Sequence, residues 1–342
     1  MKKDYNISYI RALSTIMVVT LHIANHIAKT KPCIVSDWLN LGLVMFFVMS
    51  GFLYSKRNIA KEDCKKWILH RYAEIVIPAI IAVMFADAYF AGLALHGGGY
   101  IISKRRIISS IICGLGFEAF APSPWVFVEY WFLTNIVICY ATLPLIQKIN
   151  FKKPNDVQFW GGSIIISLIF QGVLSAINSP VSWGSMLRFY LAYAVFRRYD
   201  IRDNKCKREM IGLSTIVIPL VAAICYIRYD FMFDGVLAAL AELAFIYIQT
   251  IAGLVLFYWL YLAVQHIKKS ERLIQITDTY SYPVYLTHSF FVGYKTSVID
   301  RFENAISGIV VALLFTTLAS ALVLVISKPI NRKINLVIER IK

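Results

Sequence analysis

Ten stretches of roughly 20 predominantly apolar residues recur along this chain, and they constrain its fold more than any motif does. They lie near residues 7–27, 37–55, 67–95, 126–147, 159–178, 182–197, 211–227, 235–264, 273–294 and 305–327. In hydrocarbon an unpaired backbone N–H or C=O costs several kcal/mol, so stretches of this kind close their hydrogen bonds locally as helices. Composition excludes a water-soluble alternative: 58% of the 342 residues are hydrophobic and 16% charged, whereas soluble domains carry about 25% charged residues. The expected fold is all-α, a polytopic integral membrane protein of about ten transmembrane helices forming a single domain over residues 1–342. No internal repeat and no linker divides it.

Charge placement orients the spans. The net charge of +15 is spread through short loops rather than gathered in a patch, which argues against nucleic acid and for a topology signal. With the N-terminus inside, and Arg197 at the edge of the sixth stretch counted with the loop that follows it, inner segments hold 24 Lys and Arg against 8 in outer ones, so both termini are expected in the cytoplasm. Lys2 and Lys3 resemble the start of a signal peptide, but Arg11 and His22 interrupt the apolar stretch and no small-residue exit follows, so no cleavage is expected. Lys104, Arg105 and Arg106 run against the bias, in an outer stretch whose apolar run 107–116 is too short to span; a re-entrant or surface helix fits it. The six cysteines show no metal-ligand spacing and read as packing residues.

Polar residues inside the spans carry the functional signal. Arg11 and His22, eleven residues apart on the first helix, share one face about 16 Å apart along the axis. Arg11 has two readings, a seam residue facing protein or an inner-edge residue snorkelling to headgroups. His22 lies too deep to snorkel; it is a site residue or a histidine bonded between helices. Helix rise sorts the rest by depth. Arg11, Ser50, Arg71, Glu74 and Asp278 fall near the inner side, and His22, Glu242 and His288 near the outer side. Glu242 and His288 are therefore candidates to fix the tautomer of His22. Arg188 sits mid-span and is expected to face the interior. His26 follows His22 at a zinc-compatible i+4 spacing, but no third ligand completes a set, and no metal is expected.

These residues fall in a recognisable order. Arg11-x10-His22, then Phe46-Phe47-Val48-Met49-Ser50-Gly51-Phe52, Arg71, Tyr130-Trp131-Phe132-Leu133 and Ser281-Tyr282-Pro283-Val284-Tyr285-Leu286-Thr287-His288 together resemble acyltransferase family 3. The resemblance implies transfer of an acyl group, acetyl being the expected one, from cytoplasmic acyl-CoA to a hydroxyl of a sugar or surface polysaccharide or glycolipid precursor. It implies a bacterial inner (plasma) membrane location, acyl-CoA as co-substrate and no permanently bound cofactor. The expected partners are acyl-CoA, a sugar or polysaccharide acceptor and membrane lipid, with no nucleic acid. On this reading His22 and Arg11 are catalytic, and Arg71, Ser50 and Gly51 bind the donor. Glu74, Trp131, Arg188, Glu242, Tyr285 and His288 stand as supporting residues. Arg71 is followed by Glu74 where the family commonly has a second arginine, so a two-arginine phosphate clamp is not expected, and Glu74 is a candidate partner for Arg11. Simpler readings stay open for the small residues of the 46–52 run as helix packing and for Trp131 as an interfacial belt residue. The rival class is a secondary transporter or flippase using His22, Arg188 and Glu242 as a relay; the missing repeat weighs against it.

Overall fold

Helices form almost wherever the apolar stretches put them. The computed structural model describes residues 4–28, 34–61, 63–95, 103–122, 127–148, 155–177, 179, 181, 183–230, 235–267, 271–293 and 297–341. Among these there are twelve α-helices and no strand. They are α1 (Tyr5–Ala28), α2 (Ile34–Leu39), α3 (Leu41–Ser55), α4 (Cys64–Leu95), α5 (Lys104–Gly114) and α6 (Trp131–Lys148). Then follow α7 (Asp156–Ala176), α8 (Trp183–Arg198), α9 (Asn204–Asp230), α10 (Gly235–Val264), α11 (Glu271–Val292) and α12 (Ala305–Glu339). The stretches Tyr5–Ala28, Cys64–Gly92, Asp156–Ala176, Leu243–Val264 and Ala305–Glu339 are long and apolar enough to cross a membrane.

Departures from the expected boundaries have local causes. The second stretch is broken at Asn40, whose carbonyl accepts from the N–H groups of Leu43 and Val44 and so starts α3 afresh. The short run at 107–116 is the helix α5, capped by the Ser103 hydroxyl accepting from the Arg106 N–H. α12 continues past residue 327 into a polar sequence, because Ile338 remains packed against Ala73 and Ile77 of α4.

The chain gathers into two compact units of interleaved segments. One comprises Met1–Val18, Pro32–Ile59 and Leu145–Gln275. Its core is α3 laid against α8 and α10 with small residues at the closest approaches. A Cβ on Gly51 would lie 2.5 Å from the Phe189 carbonyl oxygen and 2.8 Å from the Tyr193 nitrogen, and one on Gly253 would lie 2.3 Å from Val44. Phe52 fills the space beside this seam, with its ring 5.1 Å from Phe196 and 5.3 Å from both Phe257 and Tyr261.

The other unit comprises Val19–Lys31, Ala60–Pro144 and Ile276–Lys342. In it α12 packs along α4, α5 folds back on α4, and the Ser110 hydroxyl donates to Asp87 at 3.0 Å. A fully buried hydroxyl pair, Thr287 and Ser320 at 2.8 Å, joins α11 to α12. Small hydroxyl residues of this kind let apolar helices approach and bond.

Gly51→Ala tests the close approach in the first unit. The added methyl meets backbone atoms that cannot swing aside, so the variant should lose about 1–3 kcal/mol of stability. Gly162→Ala, where nothing lies within 4 Å, should be neutral. Thermal unfolding of the purified proteins measures both.

Candidate active site

The site is built from three elements of the second unit. α1 ends there and contributes His22. A 3₁₀ turn, Val128–Tyr130, leads into α6 and contributes Glu129. α11 contributes Tyr285 and His288, which share a face at i, i+3 with rings 5.9 Å apart.

Two tyrosine hydroxyls brace the turn against α11 in opposite directions. The Tyr285 hydroxyl donates to the Glu129 carbonyl, and the Tyr130 hydroxyl donates to the Leu286 carbonyl at 3.0 Å. Both rings are buried, Tyr130 completely. Glu129 thus has its backbone fixed to the helix carrying His288 while its carboxylate reaches His22, with Oε2 3.3 Å from Nε2. The imidazole rings of His22 and His288 lie 5.0 Å apart, tilted by 46°.

Partners determine which nitrogen carries each proton. His288 Nδ1 faces the carbonyls of Tyr285 at 2.8 Å and Val284 at 3.1 Å. A carbonyl only accepts, so Nδ1 is the N–H and Nε2 holds the lone pair in the neutral ring. That Nε2 is buried without a hydrogen-bond partner among the described residues. His22 Nε2 lies 3.3 Å from the Glu129 carboxylate, a contact that favours the N–H on Nε2 and the lone pair on Nδ1 in the neutral ring. Exposure divides their roles: His288 is 0% exposed, whereas the His22 side chain is 18% and Glu129 23% exposed. Of these three side chains, His22 and Glu129 are the ones open to a ligand.

Two neighbours complete the surroundings. His26, one turn beyond His22, is buried with Nε2 3.1 Å from Asp300 Oδ2. Glu118, in the 3₁₀ turn Glu118–Phe120 outside the helices, is also buried. Burial, and then the negative charge of Glu129, pushes its carboxyl up to about 7. Near neutral pH it does not place a second full charge beside Glu129.

The other expected site residues are divided between the two units. Of the partners offered for His22, His288 lies beside it, while the side chain of Glu242, in α10, is outside the described residues. Arg71 pairs with Glu74 on its own helix α4, Nη1 donating to Oε2. Trp131 is half-buried at the start of α6, its carbonyl accepting from the Asn135 amide at 2.8 Å. Arg11, Ser50, Gly51 and Arg188 belong to the other unit. There Arg188 is buried as expected and donates to Gln249 Oε1 at 2.8 Å. Ser50 is half-buried on α3, and Gly51 meets the backbone of α8.

Glu129 was not singled out from sequence. It stands immediately before the Tyr130–Leu133 run, and a carboxylate at the outer end of an apolar stretch, at the depth of His22, was the available signal.

Several helices apolar enough to cross a lipid bilayer, with a half-open histidine facing a carboxylate among them, define a multi-pass membrane protein. The chain belongs to acyltransferase family 3, whose acyltransferase domain it matches over residues 4–326, essentially its whole length. The resemblance drawn from its motifs is thereby borne out, and the protein is an acyltransferase. No curated protein and no solved structure matches it.

Tyr285→Phe removes one of the two bracing bonds and leaves a carbonyl unpaired in an apolar setting. It should cost about 1–3 kcal/mol in thermal unfolding, and lower turnover at sites saturated with substrate.

Proposed function

We propose that the protein transfers an acyl group, acetyl in the first instance, from cytoplasmic acyl-CoA to a hydroxyl of a sugar or a surface polysaccharide or glycolipid precursor. The observation carrying this reading is the His22–Glu129 contact beside His288, in a chain of acyltransferase family 3. His22 is the general base. Its Nδ1 takes the proton of the acceptor hydroxyl as the oxygen attacks the thioester carbonyl. The C–S bond then breaks, and the proton passes to the departing thiolate, so no other reactant is consumed. Glu129 holds the ring in the required tautomer and stabilises the imidazolium while it carries the proton. His288 shapes the buried side of the site.

The accompanying topology has about ten spans with both termini in the cytoplasm of a bacterial cell. Its support is the charge bias and the coincidence of helices with the apolar stretches. Arg71, near the inner end of α4, is assigned to the phosphates of the donor, for which a guanidinium fork is suited.

Purified protein in detergent, given labelled acetyl-CoA and candidate sugars, tests the reading. His22→Ala should lower turnover about 10²- to 10⁴-fold, with His26→Ala far milder; near-normal turnover in the first variant would remove His22 from the mechanism.

In the same assay Arg71→Ala should raise the KM for the donor about 10- to 150-fold, the equivalent of one charge-assisted contact of about 1.5–3 kcal/mol. The acceptor KM should hardly move. An effect on the acceptor alone would reassign Arg71 to the acceptor path.

A further inference from the structure

The polar end of α12 forms a second site, separate from the histidine cluster. Beyond the apolar stretch that ends near residue 327, α12 and the start of α4 wall a cleft of about 460 Å³, within the usual range of small-molecule pockets. Its carboxylates are already engaged. Glu74 accepts from Arg71, and Glu339 Oε1 lies 3.0 Å from His70 Nε2, whose Nδ1 lies 2.8 Å from Asn335 Oδ1.

Its two cations are not engaged. Lys328 and Arg332 line the cleft, and neither has a hydrogen-bond or ion-pair partner among the described residues. At i and i+4 they present like charges on one face of α12, an arrangement that costs a helix a few tenths of a kcal/mol unless an anion lies between them. Asn331, between them in sequence, also lines the cleft, and its Oδ1 is buried without a partner among the described residues. An amide in that position can turn its NH₂ toward an acceptor. Two free cations and an idle amide, with every lining carboxylate occupied, make a site for an oxyanion.

We infer that this cleft binds a phosphate ester, with Lys328 and Arg332 on the phosphate oxygens and the Asn331 amide donating to one of them. The two sources of that chemistry are a phospholipid headgroup and the phosphates of coenzyme A. The apolar part of α12 that precedes the cleft leaves Leu318, Leu322 and Val325 exposed, which suits the acyl chains of a lipid. The cleft itself would accept either ligand. The inference does not rest on acyl transfer, because binding alone tests it.

The full chain in detergent is titrated separately with phosphatidylglycerol, read by native mass spectrometry, and with coenzyme A, read by calorimetry. The test variant is Lys328→Gln with Arg332→Gln. A charge-matched control is Lys333→Gln with Arg340→Gln, both exposed on or at the end of the same helix and outside the cleft. All four side chains are exposed, and unchanged thermal unfolding confirms that both proteins fold. The test variant should bind one of the ligands at least tenfold more weakly while the control matches the parent. Loss for phosphatidylglycerol identifies a lipid site, loss for coenzyme A a donor site, and loss for both a site the two ligands share. The inference is overturned if the test variant binds both ligands as the parent does, or if the control weakens by the same factor, since the attraction would then be diffuse.

Discussion

The opposed pair of tyrosine-to-carbonyl bonds between the 3₁₀ turn and α11 is the constraint on which the site depends. Glu129 lies in the short 3₁₀ turn that runs directly into α6. Anchoring its carbonyl to Tyr285, and α11 to Tyr130, sets the distance between Glu129 and His288 before any ligand arrives. For the reaction proposed at this site, preorganisation of this kind spares the cost of arranging polar groups in a low-dielectric setting. It also explains why the signature stretch Ser281–His288 holds a tyrosine three residues before its histidine. Tyr285 braces the carboxylate's backbone, and its own carbonyl accepts from His288.

Hydrogen bonding inside apolar helices leaves few choices for a polar side chain, and each choice here assigns a role. His288 spends one nitrogen on the carbonyls of its own helix and is sealed from contact. His22 spends one nitrogen on a carboxylate and stays partly open. Two histidines of the same chemistry are thus separated into a sealed member and a partly open one by their partners and exposure. The same logic at the end of α12 gives the opposite outcome, in which the lining carboxylates are matched and Lys328 and Arg332 have no partner among the described residues.

Much of the fold was legible because hydropathy and helix formation share a cause. The stretches expected at 159–178, 182–197 and 235–264 appear as α7, α8 and α10 with shifts of a few residues. Less legible were the break at Asn40, which turns on backbone bonding, and the polar extension of α12, which depends on Ile338 meeting α4. In the site, His22 and His288 could be read from their depth alone. The packing role of Gly51 could be stated as an option, but its partner helix, α8, could not be named.

The sequence by itself determined that the chain is helical and membrane-embedded, that it carries the motifs of acyltransferase family 3, and that His22 falls inside the first apolar stretch. Those properties are additive along the chain, being sums of transfer free energies and local hydrogen bonds. Tertiary structure alone decided that Glu129 and His288 meet at His22, and that Glu74 pairs along its own helix. Contacts between residues far apart in sequence follow from which helices pack and at what rotation, and that depends on side-chain fit that no linear spacing encodes.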